Sequence, residues 1–145
     1  MAEKRGFRAV LIGVSILGLG LPAGAQTGGQ FKARLSPVPI DAATASTIAG
    51  RGSVTAVLTG TNLSITGTFE GLRSAATVAR LHNGPKGIRG PAVFDLTVTK
   101  ATSGTISGTL RLTTAQVDGL KNGKFYVQIH SERAPEGNLW GWLLQ

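Results

Sequence analysis

A two-residue rhythm is the strongest constraint on what this chain can fold into. From Phe31 onward, apolar and polar residues alternate in short runs, each broken by Gly, Pro or Asn. Successive side chains of an extended strand point to opposite faces, so such a run buries one face and wets the other. Phe31, Ala33 and Leu35 alternate with Lys32 and Arg34. Pro37 and Pro39 then interrupt, because proline cannot donate to a central ladder. Residues 40–50 are rich in Ala, Thr and Ser and read as a loop or an edge. Val54, Ala56 and Leu58 form one alternating set, and Leu63, Ile65, Gly67 and Phe69 form another across Gly60-Thr61. Two such runs around a short glycine-containing turn predict a β-hairpin.

Further runs fall at 77–82, 92–99 and 106–112, with a closing pair at 124–130 and 138–144. Between them, Gly84, Pro85, Gly87, Gly90 and Pro91 mark a rigid loop, and Ser103-Gly104 marks a turn. The one helical candidate is 113–120, with Thr113 or Thr114 to cap its start and Asn122-Gly123 to end it. Short strands at regular spacing predict an all-β sandwich or barrel, antiparallel and wet on one side. No internal repeat is evident, which argues against a solenoid or a propeller.

The N-terminus follows a different logic. Lys4, Arg5 and Arg8 precede an apolar run at residues 9–21, which Pro22 ends before Ala23-Gly24-Ala25. A basic start, an apolar middle and an A-x-A site predict a cleavable signal peptide at 1–25, leaving a single domain at 26–145. As a helix the run would span about 20 Å at ~1.5 Å per residue, short of a hydrocarbon core of about 30 Å, so no membrane span is expected after cleavage. The expected location is secreted or periplasmic.

Composition narrows the chemistry. The chain has no Cys, which removes disulfides, thiolate metal sites and Cys nucleophiles. Two His and seven acids leave little for acid–base work, and no Gly-x-Ser-x-Gly elbow or phosphate loop occurs. Ser131 adjoins His130, but strand neighbours point apart, and Asp95 and Asp118 have no motif context. No enzymatic activity is expected. The net charge is +8 and stays positive after cleavage, since Lys4, Arg5 and Arg8 leave with only Glu3. Such a field favours anionic partners. The bases are scattered singly and aromatics are only 6%, so nucleic acid is not an expected partner, whereas anionic polysaccharide or an extracytoplasmic protein is.

Phe31-x-Ala33-x-Leu35 with Pro37 and Pro39, Gly50-x-Gly52, Phe69-x-Gly71-Leu72, Ala79-Arg80-Leu81-His82-x-Gly84 and Gly90-Pro91-Ala92-Val93 come in that order. Leu120-x-x-Gly123-x-Phe125-Tyr126-Val127-x-Ile129-His130-Ser131 and Pro135-x-Gly137-x-Leu139-x-Gly141-x-Leu143 follow. This string resembles the CHRD domain, the family named after the domain in chordin, over nearly all of the mature chain. The resemblance implies an extracytoplasmic, antiparallel, Ig-like β-sandwich of about 7–9 strands with one short helix. It implies no catalytic mechanism. The chain departs from the family pattern twice. Arg80-Leu81-His82 stands where His-x-His is frequent, and Gly137-Asn138-Leu139-Trp140-Gly141 stands where Gly-Glu-Ile-Arg-Gly is frequent.

Strand parity sets Val78, Arg80 and His82 opposite Thr77, Ala79 and Leu81, and Tyr126, Gln128 and His130 opposite Phe125, Val127 and Ile129. If the two strands share a sheet, as the resemblance implies, then Arg80, His82, Tyr126, Gln128 and His130 form one polar patch, the candidate ligand site. Three readings of it stand. The imidazoles can be structural, bonded to loop backbone. They can hold copper or zinc through His82 and His130, although a third ligand is missing and Arg80 would repel a cation. Or Arg80 and the two imidazoles can hold a carboxylate, sulfate or phosphate. No cofactor is favoured. Trp140 and Trp142 share the other apolar-flanked strand, with Leu139 and Leu143 on its second face, and read equally as core or as a binding platform. Two apolar faces predict a strand covered on both sides, as a homodimer contact would do.

Overall fold

Eight antiparallel strands close on themselves, one for each run of alternation. The computed structural model describes residues 28–145, and the proposed export segment lies outside the described residues. In chain order the elements are β1 (Gly28–Pro37), β2 (Arg51–Thr59), β3 (Asn62–Glu70), β4 (Ala76–Asn83), β5 (Ala92–Val98), β6 (Gly104–Arg111), α1 (Thr114–Lys121), β7 (Phe125–Ser131) and β8 (Ala134–Trp142). Neighbours around the wall run β1-β2-β3-β6-β5-β4-β7-β8, and β8 returns to β1.

The Ig-like sandwich is thereby corrected to a closed barrel. Alternation produces one inner face whether two sheets stack or one sheet closes, so parity cannot tell them apart. The difference lies in two short seams. β5 meets β6 at Thr97↔Ser107 and Val98↔Ile106. β1 meets β8 at Ser36↔Trp140 and Pro37↔Leu139, with a further bridge at Lys32↔Leu144. β1 is ten residues long, enough to pair with β2 from Gly28 to Leu35 and still reach β8 with its last residues. Closure pairs part of each strand edge that an open sheet would expose, at two residue pairs per seam and one further bridge.

The inner face is the alternating apolar set. Phe31, Leu35, Ala56, Leu63, Ala79, Leu81, Val127, Ile129, Leu139 and Leu143 are fully buried within one core cluster. Gly60-Thr61 is the hairpin turn, with Thr59 paired to Asn62 on either side. Helix α1 starts one residue later than expected because Thr113 is its cap: the Gln116 N–H donates to Thr113 Oγ1 at 3.2 Å and the Thr113 N–H to Gln116 Oε1 at 2.8 Å. Leu120 turns from the helix into the main core. No helix among the described residues is long and apolar enough to cross a membrane.

Two boundaries differ from expectation. β1 runs on to Pro37, which sits at the strand end, where a missing N–H costs least. β8 begins at Ala134 rather than Asn138, because β7 and β8 form a tight hairpin with Ser131 paired to Ala134. The pairing shifts between Ile129 and Ser131. This bulge, and Gly137 at φ 131°, interrupt the alternation between the two runs.

Candidate functional site

The register of β4, β7 and β8 assembles the predicted patch on the outside of the barrel. Val78 pairs with His130, Arg80 with Gln128 and His82 with Tyr126. On the other side of β7, Tyr126 pairs with Trp142 and Gln128 with Trp140. All five predicted residues therefore lie on one wall, and the two tryptophans join them. The His82 ring stacks on Tyr126, with centroids 4.8 Å apart, and lies 6.4 Å from His130. Tyr126 in turn lies 4.6 Å from the Trp142 ring, and Trp140 meets Trp142 edge to face at 4.8 Å.

This wall is outward by strand parity yet largely buried. Tyr126 is 1% exposed, Gln128 3% and Trp142 8%. The cover on the Trp140–Trp142 face comes from the chain itself, and Leu139 and Leu143 on the opposite face of β8 lie in the barrel core. The loop at residues 84–91 crosses the wall and is bonded to it. Gly90 N–H donates to the Tyr126 hydroxyl at 2.9 Å, and that hydroxyl donates to Gly90 O at 3.2 Å. Trp142 Nε1–H donates to Gly84 O at 2.9 Å. Arg89 reaches over Trp140, 5.7 Å from its ring, and donates to Glu136 O at 2.8 Å. Gly90 has to be glycine, because a Cβ there would collide with the Asn83 carbonyl oxygen. Val38, Ile48 and Ala134 form a second small core against Trp140 on the other flank.

Each imidazole is tied to a backbone carbonyl, His82 to one in the 84–91 loop and His130 to one at the start of β8. His82 Nδ1 lies 2.9 Å from Gly90 O, and His130 Nδ1 lies 2.8 Å from Pro135 O. A carbonyl only accepts, so Nδ1 carries a proton in both rings, and in a neutral ring the lone pair then sits on Nε2. Gln128 Nε2–H donates to Glu136 O at 3.3 Å and points at His130 Nε2, 3.4 Å away. His82 Nε2 and Gln128 Oε1 are buried acceptors with no partner among the described residues. Burial holds the His82 imidazole below its ordinary range. The Gly90 carbonyl opposes that shift, and positive charge on His130, Arg80 and Arg89 adds to it.

Arg80 is on the wall and is paired with a carboxylate. Its Nε–H donates to Asp95 Oδ1 at 2.9 Å, its cross-strand neighbour on β5. The guanidinium fork is thus partly engaged by a carboxylate of the chain, which weakens the anion reading of this patch. Asp95 could have been found in the sequence only with the β4–β5 register in hand. Ser131 is fully buried and its Oγ accepts from Asn138 Nδ2–H at 2.8 Å, so it adds no nucleophile beside His130. Among the described residues no group of three or more His, Cys, Asp or Glu is placed to hold a metal ion.

The fold and wall define a class: a closed antiparallel barrel with an aromatic–imidazole outer wall strapped down by its own loops. The chain belongs to the CHRD domain family, whose family model matches residues 31–143. No curated protein and no solved structure matches it.

Proposed function

We propose that the protein is exported and works outside the cytoplasm as a non-enzymatic binding or scaffolding module. One observation carries this reading. Four side chains of the wall each give a polar atom to hold backbone: His82 and Tyr126 hold Gly90, His130 holds Pro135 and Trp142 holds Gly84. Side chains used in this way build a rigid surface, whereas a general acid or base has to reach a substrate proton. The basic N-terminal start, its apolar run and the Ala23-Gly24-Ala25 site support export. Cell fractionation followed by N-terminal sequencing tests it. The expected product is an extracytoplasmic chain beginning at Gln26; an intact chain recovered from the cytoplasm would overturn the reading.

A second reading, copper or zinc held by His82 and His130, has one observation in its favour. Both rings give Nδ1–H to a backbone carbonyl, as metal-ligating histidines ordinarily do, and His82 Nε2 is a buried acceptor without a partner. Against it, two imidazoles fall short of the usual ligand count, and the Gln128 amide N–H points at His130 Nε2. Metal analysis after purification without chelators separates the two. A stoichiometric ion that disappears in both His82→Ala and His130→Ala would establish the second reading.

A further inference from the structure

Beside the histidine wall, the same β8 residues form the floor of a separate groove of about 390 Å³. Lys32 and Arg34 line it from β1, Lys86 lines it from the loop, and Trp140 and Trp142 lie between them. We propose that this groove binds an acidic polysaccharide, with carboxylates on the three cations and sugar rings against the indoles.

The strand rhythm builds the cationic side. Phe31, Ala33 and Leu35 are buried in the barrel, so Lys32 and Arg34 stand outside, two residues and therefore about 7 Å apart along the strand. The seam register, Lys32↔Leu144 and Ser36↔Trp140, brings the outer side chains of β8 alongside them. The opposite side is fixed rather than floppy. Lys86 sits in the loop that Trp142 holds at Gly84 and Tyr126 holds at Gly90. Trp142 donates its one polar atom to Gly84 O, so the small part of it that reaches the groove is hydrocarbon, and half-buried Trp140 offers the larger surface to the C–H groups of a sugar ring.

Charge decides the occupant. No acidic residue lines the groove. The ion pairs among the described residues are Arg51–Glu70 and Arg80–Asp95, so Lys32, Arg34 and Lys86 have no acidic partner there. Three cations around an apolar floor attract a ligand that carries anions at intervals on an otherwise weakly polar body. A polyuronate has that chemistry, with a carboxylate on each successive ring. Trp142 is only 8% exposed and Leu144, at 40%, is the single exposed large apolar side chain lining the groove, too little protruding hydrocarbon for a membrane anchor and suited to a chain lying along the groove. The choice of polysaccharide over nucleic acid rests on the reading of the protein as exported.

The test uses the mature chain and polygalacturonate. Trp140 and Trp142 are the only tryptophans, so their fluorescence reports the groove directly. The expected result is a saturable change in emission that weakens as salt rises. Arg34→Gln with Lys86→Gln weakens binding by about tenfold or more, through loss of two charge-assisted contacts. Lys100→Gln with Arg111→Gln, which removes the same charge from exposed sites elsewhere, leaves it within about twofold. No saturable emission change, equal losses in the two double variants, or tighter binding of duplex DNA or anionic vesicles than of polygalacturonate would each overturn the proposal. Fractionation tests export independently, so a failure of one does not pass for a failure of the other.

Discussion

Replacing Tyr126 by Phe removes one oxygen atom and isolates the bond that holds the loop to the wall. The ring remains, with its neighbours His82 at 4.8 Å and Trp142 at 4.6 Å, so packing is preserved. What is lost is the acceptor for Gly90 N–H at 2.9 Å and the donor to Gly90 O at 3.2 Å. Gly90 O keeps its contact with His82 Nδ1, so the larger loss falls on the N–H. A fully buried orphan donor costs about 1–3 kcal/mol. Gly90 is half-buried, so water recovers part of that, and the expected cost is about 1–2 kcal/mol. For a domain of this size that corresponds to a fall in Tm of about 4–8 °C. Tyr126→Ala adds a cavity and should cost about 3–5 kcal/mol. Urea melts would give the free energies, and amide exchange at Gly90 would locate the effect, with faster exchange expected in the Phe variant. If Tyr126→Phe melts within a degree of the parent and Gly90 exchanges at the same rate, the hydroxyl does not fasten the loop.

Three further predictions follow from the same contacts. Because the His82 pKa is lowered on folding, the unfolded chain binds the proton more readily. The contribution of this group is full above about pH 6.5 and is lost as pH falls from there through the lowered folded value, so Tm measured against pH should drop in that acidic window, with a smaller drop in His82→Asn. Gly137→Ala should destabilise by about 1–3 kcal/mol, because φ is 131° and the new Cβ would lie 2.6 Å from Gln128 Nε2; an unchanged urea midpoint would contradict it. Thr113→Ala should cost about 1 kcal/mol by removing the helix cap, read from the same melts, whereas Thr114→Ala should cost much less.

The sequence carried the strands and their parity but not their closure. Each alternating run from Phe31 to Trp142 became a strand, and the inward set at Leu35, Leu63, Ile129 and Leu139 is the core. Those are local properties, written in neighbouring residues. The seams β1–β8 and β5–β6 are made by a few residue pairs whose side chains look the same in an open sandwich. Parity grouped His82 with Arg80 on one strand and Tyr126 with Gln128 and His130 on another; the resemblance, not parity, implied that the two strands share a sheet, and the β4–β7 register brings them to one wall. It could not show that the wall is buried, because the covering contacts join residues far apart, Trp142 with Gly84 and Tyr126 with Gly90. Nor could it show that Arg80 faces Asp95, which depends on which strand lies beyond β4. Of the two tryptophans, Trp142 is buried and Trp140 half-buried. Their outer face is covered by loops on one side and lines a groove on the other.

The central claim is that both histidines hold backbone carbonyls through Nδ1, and nitrogen-15 NMR of the imidazole rings tests it most directly. The chain has two histidines, so His82→Asn alone assigns both sets of signals. At about pH 8, where imidazoles are ordinarily neutral, the account predicts two distinct Nδ1–H tautomers with protons slow to exchange. Rings in the Nε2–H form, or averaging freely between tautomers, would contradict it.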